Sequence, residues 1–156
     1  MRFTYHSEFA CAPDELFAFH ERPDALELLT PPGSGMRLIQ PAPNIHAGAE
    51  AVLSVPLVWP VRVRWIARHT VYEPPHRFVD EQIKGPFQVW RHQHIIRKTA
   101  AGAELIDDIE YELPLSPLSR LAGPLFIRPM LARMFRYRHQ VTAKYCGKQI
   151  QSHPHE

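Results

Sequence analysis

Apolar and polar side chains alternate through the first part and the middle of the chain, and a spacing of three to four residues takes over near its end. Phe3, Tyr5 and Phe9 stand against Arg2, Thr4 and Glu8, which predicts a first strand over residues 2–10. Pro13 suits the first turn of a helix, and Asp14 and Glu15 favour the positive end of its dipole. Leu16, Phe17 and Phe19 give that helix an apolar side. Pro23-Asp24 restarts the pattern as a second short helix carrying Leu26, Leu28 and Leu29, and Pro31-Pro32 stops it.

From Gly35 to Leu113 the pattern is that of strands. Met36–Gln40 is short. Ala49–Val58 puts Ala51, Leu53, Val55 and Leu57 on one parity. Val61–Tyr72 turns Val61, Val63, Trp65, Ala67 and His69 one way and Arg62, Arg64 and Arg68 the other. Pro74-Pro75 precedes Arg77–Ile83, where the pattern does not say which parity faces in. Lys84-Gly85 leads to a strand in which Trp90, His92 and His94 share one face and Arg91 and Gln93 the other. Phe87 and Trp90 differ by three, so both face inward only with a bulge or a late end to the turn near Pro86. After Ala101-Gly102, Leu105, Asp107, Ile109, Tyr111 and Leu113 alternate with Glu104, Ile106, Asp108, Glu110 and Glu112. Consecutive strands joined by short turns predict an antiparallel meander.

Ser116-Pro117 reads as a helix start, with a break or a kink at Gly123-Pro124. A long helix follows to about Cys146. Phe126, Met130, Met134, Tyr137, Val141 and Tyr145 form its expected apolar stripe, and Arg128, Arg133 and Arg136 its opposite side. Gly147 fits a C-terminal cap. The prediction is one α+β domain over residues 1–150 and a loose tail over 151–156. Its fold is a curved antiparallel sheet of about seven strands, with two short helices after the first strand and a long C-terminal helix over the sheet. A curved sheet closed by one helix can enclose a ligand cavity.

Composition narrows the function. Hydrophobic residues make up 45% of the 156 and charged residues 22%, an ordinary globular balance. The net charge of +2 does not argue for nucleic acid, and no nucleic-acid-binding motif accompanies it. Ten histidines are many for this length, so positive charge climbs below pH ~6.5. Cys11 and Cys146 match no zinc spacing and no disulfide framework, and reduced thiols are expected. The absence of an apolar leader and of a membrane-length apolar run makes a cytoplasmic protein the expectation. No phosphate loop, dinucleotide fingerprint, HExxH or nucleophile elbow occurs, which removes most support from nucleotide-driven, redox-cofactor and serine-hydrolase readings.

Several stretches taken in order resemble the START-like, helix-grip superfamily, also called SRPBCC, and within it the bacterial cyclase/dehydrase-like and ligand-binding members. They are Glu21-Arg22-Pro23-Asp24-Ala25-Leu26-Glu27-Leu28-Leu29-Thr30-Pro31-Pro32, then Gly85-Pro86-Phe87-x-x-Trp90-x-His92-x-His94, then Asp107-Asp108-x-x-x-Tyr111-x-Leu113-Pro114, and Met134-Phe135-x-Tyr137-Arg138-His139. Together they span nearly the whole chain. The resemblance implies a hydrophobic cavity between sheet and long helix. Relatives bind lipids, sterols, quinones, hormones or polyketides, and some are cyclases or dehydratases. It supplies no catalytic residues to carry over.

With that resemblance, the chain is expected to bind a hydrophobic small molecule, such as a lipid, quinone or polyketide, for transport or sequestration. Trp65, His69, Phe87, Trp90, Tyr111, Met130, Met134 and Tyr137 would line the cavity. His92, His94 and Asp107 would orient its polar end, or act as acid and base in a cyclase or dehydratase. Zinc would need a third ligand beside His92 and His94, for which His69 and Asp107 are candidates. That spacing alone does not demand a metal, and no metal or cofactor is expected. The two arginine faces, with Phe135 taken as exposed beside them, suit transient contact with a membrane surface.

Overall fold

The computed structural model of the chain describes residues 1–58, 60–114, 117–147 and 149–155. The elements follow as β1 (Arg2–Phe9), α1 (Pro13–Glu21), α2 (Ala25–Leu28), β2 (Arg37–Gln40), β3 (Glu50–Val58), β4 (Val61–Glu73), β5 (Arg77–Lys84), β6 (Val89–Lys98), β7 (Ala103–Glu112), α3 (Pro117–Tyr145) and β8 (Gln149–His155). This is the predicted helix-grip architecture. The sheet is antiparallel throughout, in the order β2-β3-β4-β5-β6-β7-β1-β8. A longer loop joins β2 to β3, short turns join the strands from β3 to β7, and β1 pairs with β7.

Local chemistry explains the entry helix. Pro13 opens α1, and the Glu15 carboxylate accepts the Ala12 N–H at 2.9 Å. Leu16, Phe17 and Phe19 are buried, as their spacing predicts. They pack on Phe9, Phe78, Ile96 and Leu105 of the sheet, with Val141 of α3 and Cys146 just after it. Gly147 ends α3 at φ 80°, a left-handed conformation in which a Cβ would stand 2.8 Å from the Ala10 carbonyl oxygen. Cys11 and Cys146 are free thiols; Cys146 Sγ donates to the Glu15 carbonyl at 3.9 Å, and burial pushes its pKa up to about 12.

Four expectations are corrected. First, α3 runs through Gly123-Pro124 in one piece; Ser116, its expected cap, lies outside the described residues. Second, among the described side chains of α3 the buried ones are Leu131, Phe135, His139, Val141 and Thr142; Val141 belongs to the predicted stripe, and the others lie about one residue round the helix from it. Phe126 is 70% exposed, Met130 50% and Tyr145 49%, whereas Phe135, expected outside, is fully buried. Third, Leu57 and Val61 are exposed, because the β3–β4 hairpin runs on past the layer that covers its middle. Fourth, Gln149–His155 pairs with β1 as an eighth strand where a tail is predicted.

The strand starting at Gly85 begins instead at Val89, so the turn ends late and resolves the clash of parity between Phe87 and Trp90. Phe87 sits in that turn. Its carbonyl accepts the Gln82 side-chain amide at 2.7 Å, and its ring lies 4.8 Å from that of Trp90.

Candidate functional site

The core is divided rather than continuous. One apolar cluster surrounds α1. A second joins Phe3, Tyr5, Trp90, Ile109 and Tyr111 to Leu131 and Phe135 of α3. A third lies under β3. Between the first two, on the inward parity of each element, stand polar residues: Ser7 between Tyr5 and Phe9, His92 and His94 between Trp90 and Ile96, Asp107 between Leu105 and Ile109, His139 between Phe135 and Val141. All five are buried. Burial of so many polar groups is tolerable only if they satisfy one another.

Strand register brings them together. Asp80 is directly opposite His92 across β5–β6, and His94 directly opposite Asp107 across β6–β7. This fixes the inward parity of β5 as that of Phe78, Asp80 and Gln82. Asp107 is the hub. Its Oδ1 is 2.8 Å from His92 Nε2 and from His94 Nδ1, and its Oδ2 is 2.6 Å from His139 Nε2. The approach to His94 is too bent for a hydrogen bond. His139 Nδ1 meets Ser7 Oγ at 2.7 Å, tying α3 to β1. Asp80 Oδ1 lies 3.4 Å from both His92 Nδ1 and His94 Nε2.

The charges follow from this geometry. Burial would raise both carboxyls, but the imidazole charges and hydrogen bonds around them win. Asp80 is held well below the usual carboxylate range by His92 and His94, and Asp107 by His94, His139 and His92. Burial would likewise lower His92, yet Asp80 and Asp107 raise it to about 9. Among the described residues, His20 has no carboxylate in contact. Burial lowers it to about 4, against the hydrogen bond with the Leu16 carbonyl.

Opposite signs predict a stability optimum near pH 6.5. The folded state holds the His92 proton more tightly than the unfolded chain, so that contribution is complete below pH 6.5 and is lost as pH rises toward 9. It rejects the His20 proton, so stability also falls as pH drops from 6.5 toward 4. The depressed carboxyls add a further loss below their ordinary value of 3.8. Melting temperature measured at pH 4.5, 6.5 and 9 should be highest at 6.5. A flat profile from 6.5 to 9 would contradict a charged His92.

A family profile described as polyketide cyclase / dehydrase and lipid transport matches residues 10–135. The chain belongs to that family. The START-like resemblance read from the sequence is thereby confirmed. No curated protein matches the chain. Among solved structures, TTHA0849 from Thermus thermophilus is 10% identical with a TM-score of 0.72, covering 94% of this chain and 97% of that one. The di-domain ARO/CYC StfQ from the steffimycin biosynthetic pathway is 13% identical with a TM-score of 0.71, covering 93% and 50%. A nucleoside-diphosphate sugar epimerase from Corynebacterium glutamicum is 24% identical with a TM-score of 0.65, covering 92% of this chain but 28% of that one. These likenesses show the fold. The family's description joins cyclase/dehydrase chemistry to lipid transport, so membership supports hydrophobic-ligand binding or cyclase activity without choosing between them.

In this family member the expected site residues divide. His92, His94 and Asp107 meet, as expected. Trp65, Phe87, Trp90 and Tyr111 form one aromatic group, with ring centroids 4.8–6.4 Å apart. His69 stands opposite Asp80 across β4–β5. Met134 is half-buried beside Phe135, and Tyr137 is half-buried with its hydroxyl 3.4 Å from the Leu28 carbonyl oxygen. Met130 does not line the interior. Over β1, β6 and β7 the expected cavity is filled: Leu131 and Phe135 are fully buried, and the Phe135 ring is 5.2 Å from that of His92. The inward residues of β4, by contrast, are only half-buried from Val63 to His69.

Sequence reasoning missed His139, Ser7 and Arg138. Arg138 donates to the Leu29 carbonyl at 3.2 Å, and burial lowers it. The four-residue spacing Leu131–Phe135–His139 was the signal for His139. Exposed apolar side chains also gather at one end of the sheet, where Met1, Leu57, Val61, Ile83 and Val89 flank strand ends, and Leu125, Phe126 and Met130 are exposed on α3. Among the arginines, Arg68 pairs with Glu50 at 2.6 Å and Arg62 is tied to Ser54 and the Gly35 carbonyl, while Arg64, Arg133 and Arg136 are exposed. Among the described residues, no helix is long and apolar enough to cross a membrane.

Proposed function

We propose that this protein binds an apolar small molecule carrying an oxygen acceptor, with that polar end on the inner face of β4 and β5 beside Asp80, His92 and His94. One observation carries the reading. Trp65 Nε1 and His69 Nδ1, both on inward positions of β4, are buried without a hydrogen-bond partner among the described residues. An unmet buried donor costs about 1–3 kcal/mol, which a ligand oxygen would restore. An indole N–H only donates, so the ligand must present a carbonyl, hydroxyl or phenolic oxygen. Lipids, quinones and polyketides all do so. The half-buried β4 face and the Trp65–Phe87–Trp90 aromatics supply the apolar wall. Binding for transport or sequestration needs nothing more. If the cargo is a lipid, contact with a membrane surface during loading would fall at the apolar end of the sheet, near Arg64.

A cyclase or dehydratase is the second reading, favoured by His92. It keeps its proton to about 9 while resting on Asp107, as a general acid requires, and His94 stands beside it. Native mass spectrometry of gently purified protein tests the first reading. One apolar molecule per chain is expected, retained with weaker affinity in His94→Gln. A protein that carries no organic molecule and takes up none from a lipid and polyphenol mixture contradicts it. Turnover of the bound molecule, abolished in His92→Gln, would establish the second reading instead.

A further inference from the structure

The Asp80 contacts have an unusual length. Asp80 Oδ1 lies 3.4 Å from His92 Nδ1 and 3.4 Å from His94 Nε2. Charge-assisted hydrogen bonds between such groups run to about 2.7–2.9 Å, as those on Asp107 do. The same 3.4 Å is the edge of a tetrahedron. Ligand atoms bound at about 2.0–2.1 Å to a tetrahedral metal stand about 3.3–3.4 Å apart. All three ligand atoms lie within 4.8 Å of one another.

The surroundings fit a metal site too. His92 Nε2 is hydrogen-bonded to Asp107 at 2.8 Å, which turns the ring so that Nδ1 faces Asp80. Asp107 is itself held by His139. A carboxylate behind a ligating histidine is the usual device for fixing its tautomer and raising its basicity. His69 stands directly across from Asp80, and its buried Nδ1 has no partner among the described residues. Asp80 retains 17% side-chain exposure, so the cluster is reachable from solvent.

We propose that Asp80, His92 and His94 bind a divalent transition metal, zinc or a first-row neighbour, through one oxygen and two nitrogens, with His69 beside the fourth position. Two imidazoles and one carboxylate suit these ions rather than magnesium or calcium, which prefer oxygen. On binding, His92 Nδ1 releases its proton to solvent and gives its lone pair to the metal. The site would leave one position for His69 or for an oxygen of a bound molecule. This inference does not depend on the apolar-ligand reading, because metal can be titrated with no organic ligand present, and either can fail alone.

The test uses the full chain stripped with a chelator and titrated with Co²⁺, read by its visible absorption, and with Zn²⁺, read by calorimetry. One equivalent should bind with the intense absorption of a four-coordinate cobalt site. Asp80→Asn and His94→Gln should each weaken binding at least tenfold, and Asp107→Asn, acting through His92, about tenfold. His46→Ala, on a surface loop, should leave it unchanged. Zinc should also raise the melting temperature of the unaltered protein, a readout free of any folding defect in the variants. No four-coordinate cobalt spectrum at one equivalent would overturn the proposal, as would equal affinity in folded His94→Gln.

Discussion

Replacing Asp107 with alanine should destabilise the fold by about 3–5 kcal/mol, the range for breaking a buried ion pair by removing one partner. The carboxylate is 2% exposed and holds His92 and His139 by hydrogen bonds, with His94 2.8 Å away. Without it, His92 keeps only the longer contact to Asp80, and His139 keeps only Ser7. For a domain of this size each kcal/mol moves the melting temperature by about 2–4 °C, so a drop of about 10 °C is expected. The adjacent residue is the control. Asp108 points to the other face of the sheet, where it accepts both Arg2 nitrogens at 2.7 Å. Because the Arg2 side chain is largely exposed, solvent screens that pair, and Asp108→Asn should cost about 1 kcal/mol or less. Denaturant unfolding of the two variants checks the contrast. Equal losses would mean that Asp107 is not the hub described.

Phe135→Ala should cost about 3–5 kcal/mol, whereas Phe126→Ala should fall within about 0.5 kcal/mol of the parent. Phe135 is fully buried, with its ring 5.9 Å from that of Phe3 and 5.2 Å from that of His92. Truncation leaves a void beside His92, because the surrounding β1 and β6 residues are fixed by their ladders and relax only partly. That void opens the interior where α3 now fills it. The variant should therefore take up small aromatic probes that the parent excludes, measured by tryptophan quenching. A mild loss of stability with no new uptake would place Phe135 at a loosely packed surface.

These two residues also mark where sequence stops being informative. The strands along the chain, both entry helices and the long helix are legible because period-2 and period-3.6 patterns arise from local geometry. The rotation of α3 is not. Apolar residues stand on several sides of it, and Phe126, Met130 and Tyr137 mimic a stripe. The true buried face carries His139 and Thr142, with Arg138 half-buried beside them, and these look like surface residues until their partners are known. His139 can be buried because Ser7 and Asp107 lie 132 and 32 residues away in the chain but within hydrogen-bond reach in space. Asp80 is a second case. Its parity cannot be read from Arg77–Ile83 alone, and only its pairing with His92 across β5–β6 turns it inward. The H-x-H pair, by contrast, was readable because two residues apart on a strand share a face whatever the register.

The proposed contact between a ligand oxygen and the unmet indole N–H of Trp65 on β4 is tested most directly by Trp65→Phe. The substitution keeps an aromatic ring beside Phe87 and Trp90 and removes only the indole N–H. The dissociation constant for the molecule released from the parent protein should rise about tenfold, the loss of one hydrogen bond of roughly 1.4 kcal/mol. An unchanged or tighter constant in Trp65→Phe would contradict the claim.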